Sequence, residues 1–257
     1  MRGVFVLIFL LLLPVLPGSV SAQETGALDV TGRVRIGKAQ EKIVRKRFYL
    51  FKGGLAANKD LVERIKNSQS TTRDCFYCGL KASSEYIEWL RAEDCESPYC
   101  REITETDVAK VPEFQAAYTK SLRQYGNRPA VARRWLTTNL APELRDGFYR
   151  SHKADLARVL GDQKPLQSSM TDSVSVRATF IDLPIAAGAK NETYLISNIL
   201  PIVIKDKSYI WICEADVNSA KRTNLVLQVP EGDKPVRRCE VIVRDVPQCK
   251  EGSCAAK

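Results

Sequence analysis

The chain has 257 residues, of which 44% are hydrophobic and 27% are charged, and its formal net charge is +9. This composition is that of a folded globular protein and excludes a fibrous or disordered chain. The only histidine is His152, which excludes metal centres built from several histidines. The sequence also has no G-x-S-x-G, G-x-G-x-x-G or complete Walker A motif. We therefore expect a non-enzymatic protein without a cofactor.

Residues 1–22 have the features of an export signal. Arg2 provides the positive start, Val4–Leu16 the apolar core and Val20-Ser21-Ala22 a small-residue cleavage site. The apolar core is shorter than the roughly 20 residues that a bilayer span requires. We expect export to the periplasm, the cell surface or the medium. An N-terminal membrane anchor is the alternative if the signal is not cleaved.

The segments that follow the signal predict two strands and then a long helical region. Leu28–Ile36 alternates apolar and polar side chains, a polar connector runs from Gly37 to Lys42, and Phe48–Phe51 is a short apolar run that ends before two glycines. Residues 53–168 show helical spacing instead, and Pro112 suits a first helical position. The side chains predicted to face the helical core are Leu61, Val62, Ile65, Tyr86, Trp89, Leu90, Phe114, Tyr118, Leu122, Tyr125, Val131, Trp135, Leu136, Leu140, Leu156, Val159 and Leu160.

The last third of the chain predicts strands again. They cover Val174–Ile181, Tyr194–Ile204, Tyr209–Val217, Asn224–Val229 and Arg238–Val246, and Pro201 predicts an edge or a bend in the second. Two strands alone do not form a stable domain. We therefore predict an α+β fold in which residues 27–52 and 170–247 form one antiparallel β-sandwich, interrupted by an α-helical insertion at 53–168 and followed by a cysteine-containing tail at 248–257. Three consecutive modules are the alternative.

The eight cysteines indicate disulfides, because their number is even and the chain is predicted to be exported. One group comprises Cys75, Cys78, Cys95 and Cys100, and the other comprises Cys213, Cys239, Cys249 and Cys254. We expect two disulfides within the first group, placed in loops on either side of a short helix. In the second group, Cys213 and Cys239 suit a link between strands, and Cys249 and Cys254 could close a loop in the tail.

Two other uses of the first cysteine group are open. The spacing C-x2-C-x16-C-x4-C resembles a zinc site built from Cys75, Cys78, Cys95 and Cys100. Cys75 and Cys78 alone form the C-x-x-C pattern of a thiol–disulfide oxidoreductase. Gly79 follows directly where such enzymes continue a helix, which counts against the redox interpretation.

The predicted strands resemble the carboxypeptidase-regulatory-like family, a transthyretin-type β-sandwich. Val30-Thr31-Gly32-Arg33-Val34 matches the opening strand of the family, and Thr171-Asp172, Phe180–Pro184 and Tyr194-Leu195-Ile196 resemble a later part. The glycine that the family has before the Phe strand is missing, and the connection to Tyr194 is longer. The resemblance implies an accessory fold that supports, spaces or binds. It carries over no catalytic residue.

Two acid-free stretches concentrate positive charge. The first contains Lys42, Arg45, Lys46, Arg47 and Lys52. The second contains Lys120, Arg123, Arg128, Arg133 and Arg134, with Tyr118, Tyr125 and Trp135 among them. The second stretch predicts a surface on the helical insertion for a protein or for an anionic envelope polymer or lipid. Export argues against nucleic acid as the partner. The alternative is an ordinary solvated face.

Overall fold

The computed structural model of this protein describes residues 24–230, 235–246 and 249. The predicted signal at 1–22 and Cys254 lie outside these residues. Four strands come first: β1 (Thr25–Thr31), β2 (Arg33–Ile36), β3 (Ala39–Lys42) and β4 (Arg47–Lys52). Seven strands close the described chain: β5 (Gln167–Met170), β6 (Arg177–Pro184), β7 (Glu192–Ser197), β8 (Ile202–Ile204), β9 (Lys207–Val217), β10 (Thr223–Val226) and β11 (Cys239–Asp245).

Helices occupy the chain between β4 and β5. They are α1 (Lys59–Lys66), α2 (Arg73–Gly79), α3 (Ser84–Ala92), α4 (Glu105–Lys110), α5 (Pro112–Gln124), α6 (Pro129–Arg134) and α7 (Phe148–Leu160). A 3-10 turn at Leu136–Asn139 follows α6, and a π-helical turn at Glu143–Gly147 precedes α7. Among the residues that the structure describes, no helix is both long enough and apolar enough to span a bilayer.

The strands on the two sides of the helical region share a sheet. A six-stranded sheet has the order β11-β9-β7-β4-β5, with β8 paired to β9, and all its pairs are antiparallel. In this sheet β4 pairs with both β5 and β7, which follow the helices. A second sheet has the order β10-β1-β6, and β2 and β3 form a separate hairpin. The protein is therefore α+β, with several antiparallel sheets and helices between their strands.

The six-stranded sheet is covered on both faces. One apolar cluster joins Leu28 of β1 and Phe180 of β6 to Phe48 of β4 and Trp211 of β9, so it draws on both sheets. A second cluster packs Phe51 and further side chains of the same large sheet against α1 and α7. Alternate side chains of β4 therefore point to different cores, as the two-residue period of a strand requires.

The helices α2, α3 and α5 share a third core, which is rich in aromatic rings. The ring of Tyr86 meets Tyr77 and Phe114 edge to face, with centroids 5.4 and 5.6 Å apart. The Tyr86 hydroxyl donates to the Leu144 carbonyl at 2.7 Å. Burial raises the pKa of the Tyr77 phenol to about 12, so this core holds neutral, hydrogen-bonded phenols. The prediction that these aromatic side chains form a core is confirmed for Tyr86, Trp89 and Phe114.

The prediction of one strand over Leu28–Ile36 was wrong, because the chain leaves the sheet at Gly32. The Gly32 amide donates to the Val176 carbonyl and its own carbonyl accepts from the Ile43 amide, both at 2.8 Å. A Cβ atom at Gly32 would lie 3.0 Å from the Ile43 carbonyl oxygen, so a larger residue would require the neighbouring backbone to move slightly. The predicted connector from Gly37 to Lys42 instead contains β3, which pairs with β2.

One strand also breaks the predicted antiparallel arrangement. β10 runs parallel to β1, with Val30 opposite Leu225. Parallel neighbours need a long crossover between them, and here the chain passes through the helices and the large sheet before it returns. The sequence pattern marks a strand near residue 224 but not the edge of the sheet that it joins.

Candidate functional site

The second basic stretch lies on α5, α6 and the turn that joins them. Phe114, Ala117 and Ser121 occupy the buried side of α5, which leaves Lys120 and Arg123 exposed. We refer to the surface formed by Lys120, Arg123, Arg128, Arg133 and Arg134 as the α5–α6 surface. Of these five residues, Lys120 and Arg123 lie on α5, Arg133 and Arg134 on α6, and Arg128 in the turn just before α6.

The turn between the two helices fixes the relative position of the charges. Gly126 and Asn127 have φ angles of +63° and +56°, and the Asn127 amide donates to the Leu122 carbonyl at 2.8 Å. Beyond α6, the Asn139 side-chain amide donates to the Ser121 hydroxyl at 2.8 Å and to the Gln124 side-chain oxygen at 2.9 Å. These bonds hold the end of the α6 segment against α5.

Most of the charge on the α5–α6 surface is not neutralised by the protein. Arg133 is half-buried and forms an ion pair with Glu105 of α4. The other four cations are exposed, and no ion pair joins them to an acidic side chain within the described residues: Lys120, Arg123, Arg128 and Arg134. The surface therefore keeps an excess of positive charge that faces solvent.

A small depression of about 570 Å³ adjoins this surface. Tyr99, Arg101, Arg133, Arg134 and Thr137 contribute to its lining. Tyr99 lies in the loop between Cys95 and Cys100, which the sequence analysis treated only as a disulfide loop. A tyrosine held in a loop of four residues between two cysteines is a signal that could have marked this position.

Arg101 is held in place at the depression by two neighbours. Its guanidinium lies over the Trp89 ring, 4.3 Å from the centroid, and donates to the two carboxylate oxygens of Asp107 at 2.8 and 3.0 Å. Burial opposes the ionisation of Asp107, but hydrogen bonds from Arg101 and Thr104 outweigh it and hold its pKa below the usual value. The Arg101–Asp107 pair therefore adds little net charge to the lining of the depression.

Trp135 does not lie where the sequence analysis expected it. The prediction of a helix with Trp135, Leu136 and Leu140 in the core was wrong for the tryptophan, because α6 ends at Arg134. Trp135 lies between the end of α6 and the 3-10 turn and stays 47% exposed, whereas Leu136 and Leu140 are buried.

Arg45, Lys46 and Arg47 of the first basic stretch line a larger cleft of about 1720 Å³, together with residues of the large sheet and of α2 and α7. Several cations of this cleft form ion pairs. Lys46 pairs with Asp94 at 2.7 Å, Arg91 pairs with Asp74 at 2.8 Å, and Lys205 pairs with Glu41 at 2.6 Å. An acid-free stretch of sequence is thus no guide to charge when acids come from elsewhere in the chain.

His152 also lines this cleft. Its ring stacks on Phe148 with centroids 5.4 Å apart, and its Nδ1 atom lies 3.9 Å from a carboxylate oxygen of Glu96. Among the described residues, no hydrogen bond connects His152 to a serine, threonine or cysteine nucleophile. The arrangement is that of a histidine packed on a helix beside an acid.

The cysteines pair differently from the prediction. Cys213 and Cys239 are bonded across β9 and β11, as expected, and Cys95 is bonded to Cys100. Cys75 is bonded to Cys249, with Cα atoms 5.2 Å apart, so the expected loop between Cys249 and Cys254 was wrong. Distance in the folded chain, not along the sequence, selects the partner, and α2 lies beside the segment that contains Cys249.

These pairings also decide between the alternatives for the first cysteine group. Cys75 and Cys78 lie on α2 rather than in a loop, and Cys78 is disulfide-bonded as well. Because Cys75 is bonded to Cys249, the Cys75–Cys78 disulfide of a C-x-x-C oxidoreductase is not formed. The zinc alternative needs thiolates at Cys75, Cys78, Cys95 and Cys100, and all four are engaged in disulfides.

Comparisons with known proteins assign no family to this chain. No family model matches it, and no curated protein matches it. Among solved structures it is similar to GBS52, the minor pilin of the Gram-positive pathogen Streptococcus agalactiae, with 10% identity and a TM-score of 0.28. The match covers 84% of this chain and 49% of the pilin, so the chain spans about half the length of that protein. At this TM-score the likeness assigns neither fold nor function.

Proposed function

We propose that this chain is an exported, non-enzymatic binding protein whose α5–α6 surface binds an anionic partner of the cell envelope. The observation that carries the proposal is the group of four exposed cations without an ion pair in the described residues. Exposed cations that have no acidic partner attract an anionic ligand. At the large cleft Lys46, Arg91 and Lys205 form ion pairs, which is why we favour α5 and α6 for the binding surface.

We propose further that the two sheets pack face to face as a β-sandwich of the carboxypeptidase-regulatory-like kind, with residues 53–168 as an insertion. The apolar cluster shared by the two sheets supports this arrangement. So does the pairing of β4 with β7, which closes the sheet across the helical region. In such an arrangement the sandwich is the support and the helical insertion carries the binding surface.

Export of the protein is part of the same proposal. The three disulfides among the described residues are typical of proteins that fold outside the reducing cytosol. The signal at residues 1–22 would direct the chain across the membrane, to the periplasm, the cell surface or the medium.

The proposal is tested by charge reversal on the α5–α6 surface. The double variant Arg123→Glu/Arg134→Glu should elute from a heparin column at lower salt than the wild type, because it removes two exposed cations and adds two anions. Arg33→Glu/Arg35→Glu is the matched control. It changes the net charge equally, on exposed positions of β2.

Net charge alone would move both variants to the same extent. We expect the α5–α6 variant to elute clearly earlier than the β2 variant. Elution of the two variants at the same salt concentration would show that the α5–α6 surface is not the binding site. Thermal unfolding of each variant checks that the fold is retained.

A further inference from the structure

Two exposed aromatic rings accompany the cations of the α5–α6 surface. Tyr99 lines the depression and is 58% exposed, and Trp135, which follows Arg134 directly, is 47% exposed. The other two tryptophans of the chain, Trp89 and Trp211, are buried. The aromatic faces are apolar and carry a partial negative charge, so they pack well against polarised C–H groups.

Most of these cations are arginines, and this limits the kind of anionic group that the ligand carries. Four of the five residues of the α5–α6 surface are arginines. A guanidinium group presents a planar fork of donors that matches a carboxylate with two parallel hydrogen bonds, whereas a lysine acts as a point charge. The surface therefore suits a ligand that bears planar carboxylates.

The structure does not offer what a bilayer surface would require. A helix that lies in a membrane interface needs an apolar face free to enter the lipid. The apolar side of α5 is buried in the helical core through Phe114 and Ala117. α6 has only six residues, and its buried side chain is Ala132. The exposed apolar area of this surface is thus aromatic rather than aliphatic.

We infer that the ligand of the α5–α6 surface is an acidic polysaccharide whose sugar units carry carboxylates. This inference rests on the proposed function and specifies its ligand. The apolar C–H face of a sugar ring packs on the exposed rings of Trp135 and Tyr99. The carboxylates of the same polymer meet the guanidinium groups of the unpaired arginines, of which Arg134 lines the depression.

The test compares two carboxylate polymers that differ in the presence of sugar rings, oligogalacturonate and poly-L-glutamate. Trp135 is the exposed tryptophan, so ligand that covers it should protect the protein fluorescence from quenching by acrylamide. We expect protection by oligogalacturonate and much less by poly-L-glutamate. Trp135→Ala and Tyr99→Ala, assayed by calorimetric titration, should each weaken oligogalacturonate binding by about three- to tenfold.

Tyr149→Ala is the matched control, because Tyr149 is also 58% exposed but lines the large cleft. It should bind like the wild type, and Trp135→Tyr should restore most of the affinity lost in Trp135→Ala. Equal binding of both polymers with no effect of Trp135→Ala would overturn the acidic-polysaccharide inference and leave the anion-binding function standing. Failure of both polymers to bind would count against the proposed function itself.

Discussion

Removal of the Cys213–Cys239 disulfide should destabilise the protein more than removal of the Cys95–Cys100 disulfide. The two bonds close loops with sequence separations of 26 and 5 residues. A longer loop restricts the unfolded chain more, and the chain-entropy relation gives about 3.5 kcal/mol for the first bond and about 2 kcal/mol for the second at 25 °C. Cys213 lies directly opposite Cys239 in the β9–β11 ladder, so the strands remain paired when the bond is absent.

The measurement is urea unfolding of Cys213→Ala/Cys239→Ala and Cys95→Ala/Cys100→Ala, followed by far-UV circular dichroism. We expect the urea concentration at the midpoint of unfolding to fall further in the first double variant than in the second. The slopes of the two transitions should also be compared, because a changed slope indicates a change in the unfolded state. An equal or larger loss in the Cys95–Cys100 variant would refute the argument from loop length. It would show that contacts in the folded state, not chain entropy, set the contribution of these bonds.

Two further predictions concern the sheet core and the depression. Trp211→Ala removes a fully buried side chain whose indole nitrogen donates to the Gln228 carbonyl at 2.7 Å, and it should cost about 3–5 kcal/mol in urea unfolding. Asp107→Asn should make stability less dependent on acid. Because the pKa of Asp107 is lowered in the folded protein, its ionisation contributes stability above the usual aspartate pKa of about 4, and this contribution is lost as the pH falls. The difference in free energy of unfolding between wild type and variant should therefore be smaller at pH 3 than at pH 7. The same difference in free energy of unfolding at both pH values would contradict a stabilising role of the Arg101–Asp107 pair.

The sequence predicts elements well where a local pattern decides the structure. Pro112 marks the start of α5 because its fixed φ angle and missing amide hydrogen suit a first helical position. The apolar run at Phe48–Phe51 predicts β4. Pro201 predicts an edge or a bend in a strand over Tyr194–Ile204, and the structure divides this stretch into β7 and β8, with Pro201 between them. In each case the physical cause lies within a few residues.

Local sequence patterns do not predict features that depend on distant parts of the chain. The bond between Cys75 and Cys249 depends on where α2 lies relative to the end of β11, and no spacing rule contains that information. Trp135 is exposed at the point where α6 has ended and the 3-10 turn has not yet begun, so the spacing of one continuous helix does not apply to it. Apolar spacing along an assumed continuous helix therefore placed this tryptophan in the core.

The two basic stretches show why charge on a sequence differs from charge on a surface. Both are free of acids along the chain, yet folding brings Asp94 to Lys46 and Glu192 to within 3.9 Å of Lys52. On the α5–α6 surface, Arg133 pairs with Glu105, and the other four cations have no ion pair with an acid of the described residues. An exposed ion pair contributes little stability, so pairing at the first stretch matters mainly because it cancels the field that a ligand would experience. In the first stretch Lys46 and Lys52 form ion pairs among the described residues, whereas on the α5–α6 surface Arg133 alone does so, and the heparin experiment tests whether the unpaired cations of α5–α6 bind an anion.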